Sequence, residues 1–144
     1  MKIKETNTDK INFQTLIGVC KRGDLDSIKY WISRNKNQLN LVTENKENPL
    51  LSSVLNQHFE VVELLVSEGA DTNITIDNKT LLGWCFLRND FKMALLLNNL
   101  GCSFDINNDE QRNSLLSSFE SSFYSNDLKK FMKKNNITFS SLIK

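Results

Sequence analysis

Histidine and cysteine are scarce in this 144-residue chain: one histidine, His58, and three cysteines, Cys20, Cys85 and Cys102. A single imidazole, with no second His or Cys near it in sequence, removes most metal sites and most acid–base mechanisms that rely on histidine. An odd number of widely spaced cysteines without a C-x-x-C pair argues against a disulfide framework and against a zinc centre, leaving three reduced, buried thiols as the expectation. Charge of one sign is also lacking. Eighteen basic and seventeen acidic residues leave a formal +1, so no global field favours nucleic acid, an anionic membrane or an acidic ligand, and a partner must be recognised locally. The opening MKIKETNTDK carries no apolar h-region, and no apolar run is long enough to span a bilayer. The expectation is a cytoplasmic chain with no membrane association. Gly-rich phosphate loops, G-x-S-x-G and H-E-x-x-H are all missing, and no carboxylate pair flanks a plausible nucleophile, so no enzyme, metal or cofactor is expected.

What is present is a 40% apolar content, enough for a modest core, arranged with a period of about 33 residues. The segment Asn48 to Asn73 recurs from Thr80 to Asp105: Leu50 maps to Leu82, His58 to Asp90 and Gly69 to Gly101, each 32 residues on. An earlier copy runs from Thr15 to Ile32, with Leu16 standing 34 residues before Leu50. A later, degraded copy begins at Asn113 and resumes at Asp127 after about two extra residues near Ser121 to Ser125. Each unit holds two apolar segments separated by a brief polar turn, Asn56-Gln57-His58 or Arg88-Asn89-Asp90, too short for anything but an antiparallel helix pair. Val61, Val62, Leu64, Leu65 and Val66 cover more than one face of their helix. Such a helix needs neighbours on several sides, which stacking supplies at roughly 1.5–3 kcal/mol per buried Leu or Val.

Pro49-Leu50, Ser53-Val54, His58, Glu60-Val61-Val62, Leu64-Leu65 and Gly69-Ala70-Asp71 with Asn73 together resemble the ankyrin repeat unit. The resemblance extends over residues 13 to 137. It implies an all-α solenoid of stacked antiparallel helix pairs joined by β-turn loops, in units of about 13–42, 43–74, 75–107 and 108–137. A flexible lead-in over residues 1–11 would precede a single repeat domain over 12–144. The family's T-P-L-H has become Asn48-Pro49-Leu50-Leu51, Thr80-Leu81-Leu82-Gly83 and Asn113-Ser114-Leu115-Leu116, so its hydrogen-bonding histidine is absent throughout. In this frame Cys20 and Cys85 take small-residue positions of the first helices and Cys102 the small position after Gly101, where close-packed seams want compact side chains. Gly69, Gly101 and Asn136 fall just past helices, where a left-handed residue closes the C-terminus. Lys129 stands where the second and third units have Val62 and Ala94, a polar face suited to closing the stack. Phe139, Leu142 and Ile143 would fold back over the last helices.

The resemblance also implies where a partner docks: on the turn tips and the exposed positions of each first helix. The tips are Glu44, Asn45 and Glu47, then Ile76, Asp77 and Lys79, then Asp109, Glu110 and Arg112. The first-helix positions are Lys21 and Arg22, Leu55 and Asn56, and Leu87 and Arg88, with Trp84 one turn earlier and Glu120 and Ser121 in the fourth unit. Leu55 and Leu87 in outward slots would form an apolar patch with Trp84, unless Trp84 tilts into the core. Arg22-Gly23-Asp24 spells an adhesion tripeptide but falls at an interhelical turn, and the sequons at Asn73, Asn78 and Asn136 are what an Asn-rich chain contains by chance. The expected function is non-catalytic protein binding, as a free monomer acting stoichiometrically: an inhibitor, an immunity protein that neutralises a toxin, or an adaptor. The alternative is a nucleic-acid-associated module using the basic helix from Lys129 to Lys134, against which stands the lack of interleaved stacking aromatics.

Overall fold

The computed structural model describes residues 7–121 and 125–144. Its internal contacts divide the chain into two compact units, Met1–Asp71 and Thr72–Lys144. The first contains α1 (Asn7–Arg22), α2 (Leu25–Asn35), a 3-10 turn (Lys36–Gln38), α3 (Pro49–Leu55) and α4 (Phe59–Ser67). Here α1 packs on α2 and α3 on α4, while α1 meets α3 and α2 meets α4, which is two antiparallel pairs stacked side by side. The second unit opens with strands β1 (Thr75–Ile76) and β2 (Lys79–Thr80), followed by α5 (Leu81–Leu87), α6 (Phe91–Asn99), α7 (Asp109–Ser121), α8 (Asn126–Lys134) and α9 (Phe139–Leu142). There α5 lies against α6 and α7, and α6 against α8. The expected architecture of paired helices is the one observed.

Local chemistry fixes where these helices begin. Asp24, Asn48, Thr80, Asp90 and Ser125 precede α2, α3, α5, α6 and α8, and each side chain accepts a backbone N–H from the first turn, satisfying donors a helix start leaves open. Asn108 does the same for α7, accepting from Gln111 N at 3.0 Å. The ends are closed by one device used six times. At Gly23, Gln57 and Asn89 after the first helices, and at Gly69, Gly101 and Asn136 after the second, φ is positive. That residue's N–H returns to the carbonyl three back and the next N–H to the carbonyl five back, as in Asn89 to Phe86 and Asp90 to Cys85. This is the Schellman closure. The sequence expectation for Gly69, Gly101 and Asn136 holds.

The core of the first unit is built from Leu16, Ile28, Leu50, Val61, Val62 and Leu65. In the second it is aromatic: Phe86 contacts Phe91, Phe104 and Phe131 at centroid distances of 5.8, 6.0 and 5.3 Å. All three cysteines are buried and none forms a disulfide. Burial pushes the Cys20 thiol up to about 11, against a smaller opposing effect of the Ser53 hydrogen bond, and holds the Cys85 thiol well above its ordinary range, with Asp90 adding to the rise. Cys102 donates its S–H to the Thr72 carbonyl at 3.3 Å.

Two expectations need adjusting, and a third falls outside the described residues. Helix α1 begins at Asn7, inside the stretch assigned to a lead-in over 1–11. Its first turn, Asn7 to Lys10, is wholly polar, so hydrophobic periodicity does not reveal it; residues 1–6 lie outside the described residues. The turn near Ser121 to Ser125 falls largely on residues 122–124, also outside them. In the C-terminal stretch Leu142 is buried as anticipated and Ile137 is buried too, whereas Phe139 and Ile143, expected to fold back with Leu142, remain exposed.

Candidate functional site

In the second unit the β1–β2 hairpin pairs Thr75 with Thr80 and Ile76 with Lys79. Its two central residues, Asp77 and Asn78, both have positive φ, 53° and 60°, the requirement of a tight type I′ turn. That geometry sends Asp77 to solvent and Ile76 inward. Ile76, expected as a contact residue, is only 2% exposed and is removed from the surface. Its carbonyl accepts the Trp84 indole N–H at 3.3 Å, which ties the hairpin to α5. Trp84 is therefore half-buried, neither core nor free surface, and the Lys79 ammonium lies 5.1 Å from its ring centroid, a cation–π contact. Leu87, three residues beyond Trp84 and so on the same side of α5, is 46% exposed. Arg88 follows it at the helix end, exposed. Asp77, Lys79, Trp84, Leu87 and Arg88 thus line the hairpin and α5 of one unit.

Glu110, expected at a turn tip, is half-buried. Its carboxylate turns inward, accepting the Thr80 N–H at 3.1 Å and the Thr80 hydroxyl at 2.9 Å. Gly83 makes this fit: a Cβ built there would stand 1.7 Å from Glu110 Oε1. Gly83 occupies the slot of the family's missing histidine, and Glu110 fills the vacancy. Neighbouring Arg112 is half-buried, bonding the Ile106 carbonyl at 3.2 Å and pairing with Asp109 at 2.5 Å, so it secures its loop while Asp109 stays exposed.

In the first unit, Lys21 at the end of α1 forms an ion pair with Glu47. Arg22, Glu44, Asn45 and Asn56 are exposed and Leu55 half-buried. Arg22-Gly23-Asp24 is consumed by the turn. Asp24 caps α2 through Ser27, whose hydrogen bonds hold its carboxyl below the usual range. Gly23 lies under the His58 ring, where a Cβ would approach Nδ1 to 2.6 Å. His58 Nε2 sits 2.7 Å from the Lys21 carbonyl; a carbonyl only accepts, so that nitrogen carries hydrogen. The lone histidine is a strut between the two helix pairs. Sequence reading missed this role, and its signal, a glycine in the α1–α2 turn that faces His58, is not visible along the chain.

On α8, Lys129, Lys130, Lys133 and Lys134 are exposed while Leu128 and Phe131 are buried. The helix presents no exposed aromatic between its lysines. The side chains of Glu120 and Ser121 lie outside the described residues. Among the described residues no group of three His, Cys, Asp or Glu side chains is placed to hold a metal ion, and no helix is long and apolar enough to cross a membrane.

The sequence profile described as ankyrin repeats (3 copies) matches residues 16–108. The chain belongs to the ankyrin repeat family. Ankyrin repeats are protein-binding modules, typically non-catalytic, and the matched span holds the hairpin and α5 face just described. In this ankyrin protein α7 and α8 lie beyond the matched span. No curated protein is significantly similar to the chain.

Proposed function

We propose that this ankyrin protein is a stoichiometric protein binder, an inhibitor, toxin-neutralising immunity protein or adaptor, that engages its partner through Asp77, Lys79, Trp84, Leu87 and Arg88. The observation that carries this reading is Leu87, a large aliphatic side chain left 46% exposed one helical turn from a tryptophan already fixed by the hairpin and by Lys79. A rigid aromatic beside an exposed aliphatic, rimmed by charge, is the composition of an interface centre, and its pre-set geometry spares part of the ordering cost of binding. The partner is first identified by co-purification and mass spectrometry, and its affinity for the Leu87→Glu variant is then measured by calorimetry. The substitution should cost roughly 2 kcal/mol or more in binding while changing the melting temperature little, since Leu87 contributes no buried core. Unchanged affinity in a variant that melts like the wild type would move the interface elsewhere.

A further inference from the structure

The chain's near-zero charge conceals a strong local excess. Residues 125–144 hold five lysines against one aspartate, a local +4 in a chain whose total is +1, so the preceding 124 residues are net −3. Lys129, Lys130, Lys133 and Lys134 all project from α8, and Lys134 is steadied by a hydrogen bond to the Asn99 side chain. A few residues further on, α9 is pinned by Leu142 and Ile137, both buried, by a capping box between Thr138 and Ser141, and by Phe139 set edge-on to Phe119 at 5.6 Å. That anchoring leaves Phe139 49% and Ile143 61% exposed, two of the six exposed large hydrophobic residues among those described.

We propose that this end of the second unit docks on an anionic lipid surface, with the α8 lysines supplying attraction and Phe139 and Ile143 entering the headgroup region. This goes beyond protein binding and reverses the expectation drawn from net charge. Two observations favour lipid over the other polyanions, and a third sets the manner of attachment. Every cation in the segment is lysine and none is arginine; lysine is depleted at protein interfaces and lacks the planar fork that reads carboxylates or phosphates geometrically, but suits a diffuse negative surface. An exposed isoleucine offers nothing to a nucleic acid base stack and gains by leaving water for lipid. The apolar side of α8 is spent in the core on Leu128 and Phe131, so α8 contributes charge alone and the attachment is peripheral.

The test is co-sedimentation of the full chain with two vesicle preparations, pure phosphatidylcholine and phosphatidylcholine with about one-third phosphatidylserine. Binding is expected only to the second and should fall with salt. Lys129→Gln with Lys133→Gln should weaken it about 30-fold. Ile143→Ser, at a side chain that holds no core together, should weaken it about fivefold or more. Leu87→Glu should leave it unchanged, which separates this inference from the protein-binding one. Equal sedimentation with neutral vesicles, indifference to Ile143→Ser, or displacement of vesicles by a single-stranded DNA oligonucleotide would overturn it.

Discussion

Gly83→Ala is ordinarily a stabilising change in a helix interior, because alanine is favoured over glycine there by about 1 kcal/mol. In α5 the sign should invert. A Cβ at residue 83 would stand 1.7 Å from Glu110 Oε1 and 2.6 Å from its Cδ, so the carboxylate must swing away. What it abandons is the pair of hydrogen bonds to the Thr80 N–H and hydroxyl, at 3.1 and 2.9 Å. Hydrogen bonds to a charged acceptor contribute about 1.5–3 kcal/mol each, of which a partly exposed site recovers some from water. A loss of about 2–3 kcal/mol, less the propensity gain, predicts that Gly83→Ala destabilises the chain by about 1–2 kcal/mol. Glu110→Ala alone should cost about 2 kcal/mol. In the Glu110→Ala background the obstruction is gone, and Gly83→Ala should then stabilise by about 0.5–1 kcal/mol. The assay is urea unfolding of the four proteins in a double-mutant cycle, read as midpoint shifts at constant m. Gly83→Ala stabilising the wild type, or costing the same in both backgrounds, would refute the account of Glu110 as occupant of the glycine's missing side chain.

Two further outcomes follow from the turns and thiols. Gln57 holds φ at 58° without being glycine and its side chain is exposed, so Gln57→Gly should raise stability by about 0.5–1 kcal/mol in the same urea assay. A lower unfolding midpoint would contradict that. With its thiol pushed up to about 11 from an ordinary 9.0, Cys20 is thiolate in about one molecule per thousand at pH 8, ~100-fold less than in the unfolded chain. Maleimide labelling followed by mass spectrometry should therefore find it slow in the folded protein, and labelling near the denatured rate would show that the thiol is open.

The stacked-pair architecture was legible because it rests on a one-dimensional signal: apolar positions repeating at 32 to 34 residues around Leu16, Leu50 and Leu82. Cysteine burial was legible for the same reason, since Cys20 and Cys85 fall in register with small seam residues. The candidate surface was less so. Ile76 and Glu110 occupy tip slots that face outward on average, but their orientation depends on partners distant in sequence. The left-handed pair Asp77-Asn78 turns Ile76 in, and Thr80 with the unoccupied side of Gly83 draws in Glu110 from 30 residues away. Likewise the four-phenylalanine core depends on Phe104, which stands where the second unit has Thr72, outside the repeat's apolar register, and which meets Phe86 and Phe131 only in three dimensions.

The six Schellman closures bear on how such a chain can drift. The left-handed slot is filled by Gly23, Gln57, Gly69, Asn89, Gly101 and Asn136, three different amino acids in one structural role, while the backbone bonds that close the turn are the same each time. A motif written in main-chain hydrogen bonds can lose its signature side chains one by one without losing its shape. Helix α8 illustrates this: it lies beyond the span matched to the family, yet Asn136 to Lys133 and Ile137 to Met132 reproduce the closure that ends α4 and α6. A search keyed to backbone turns at the right spacing would therefore find such closures where the side-chain signature no longer marks them.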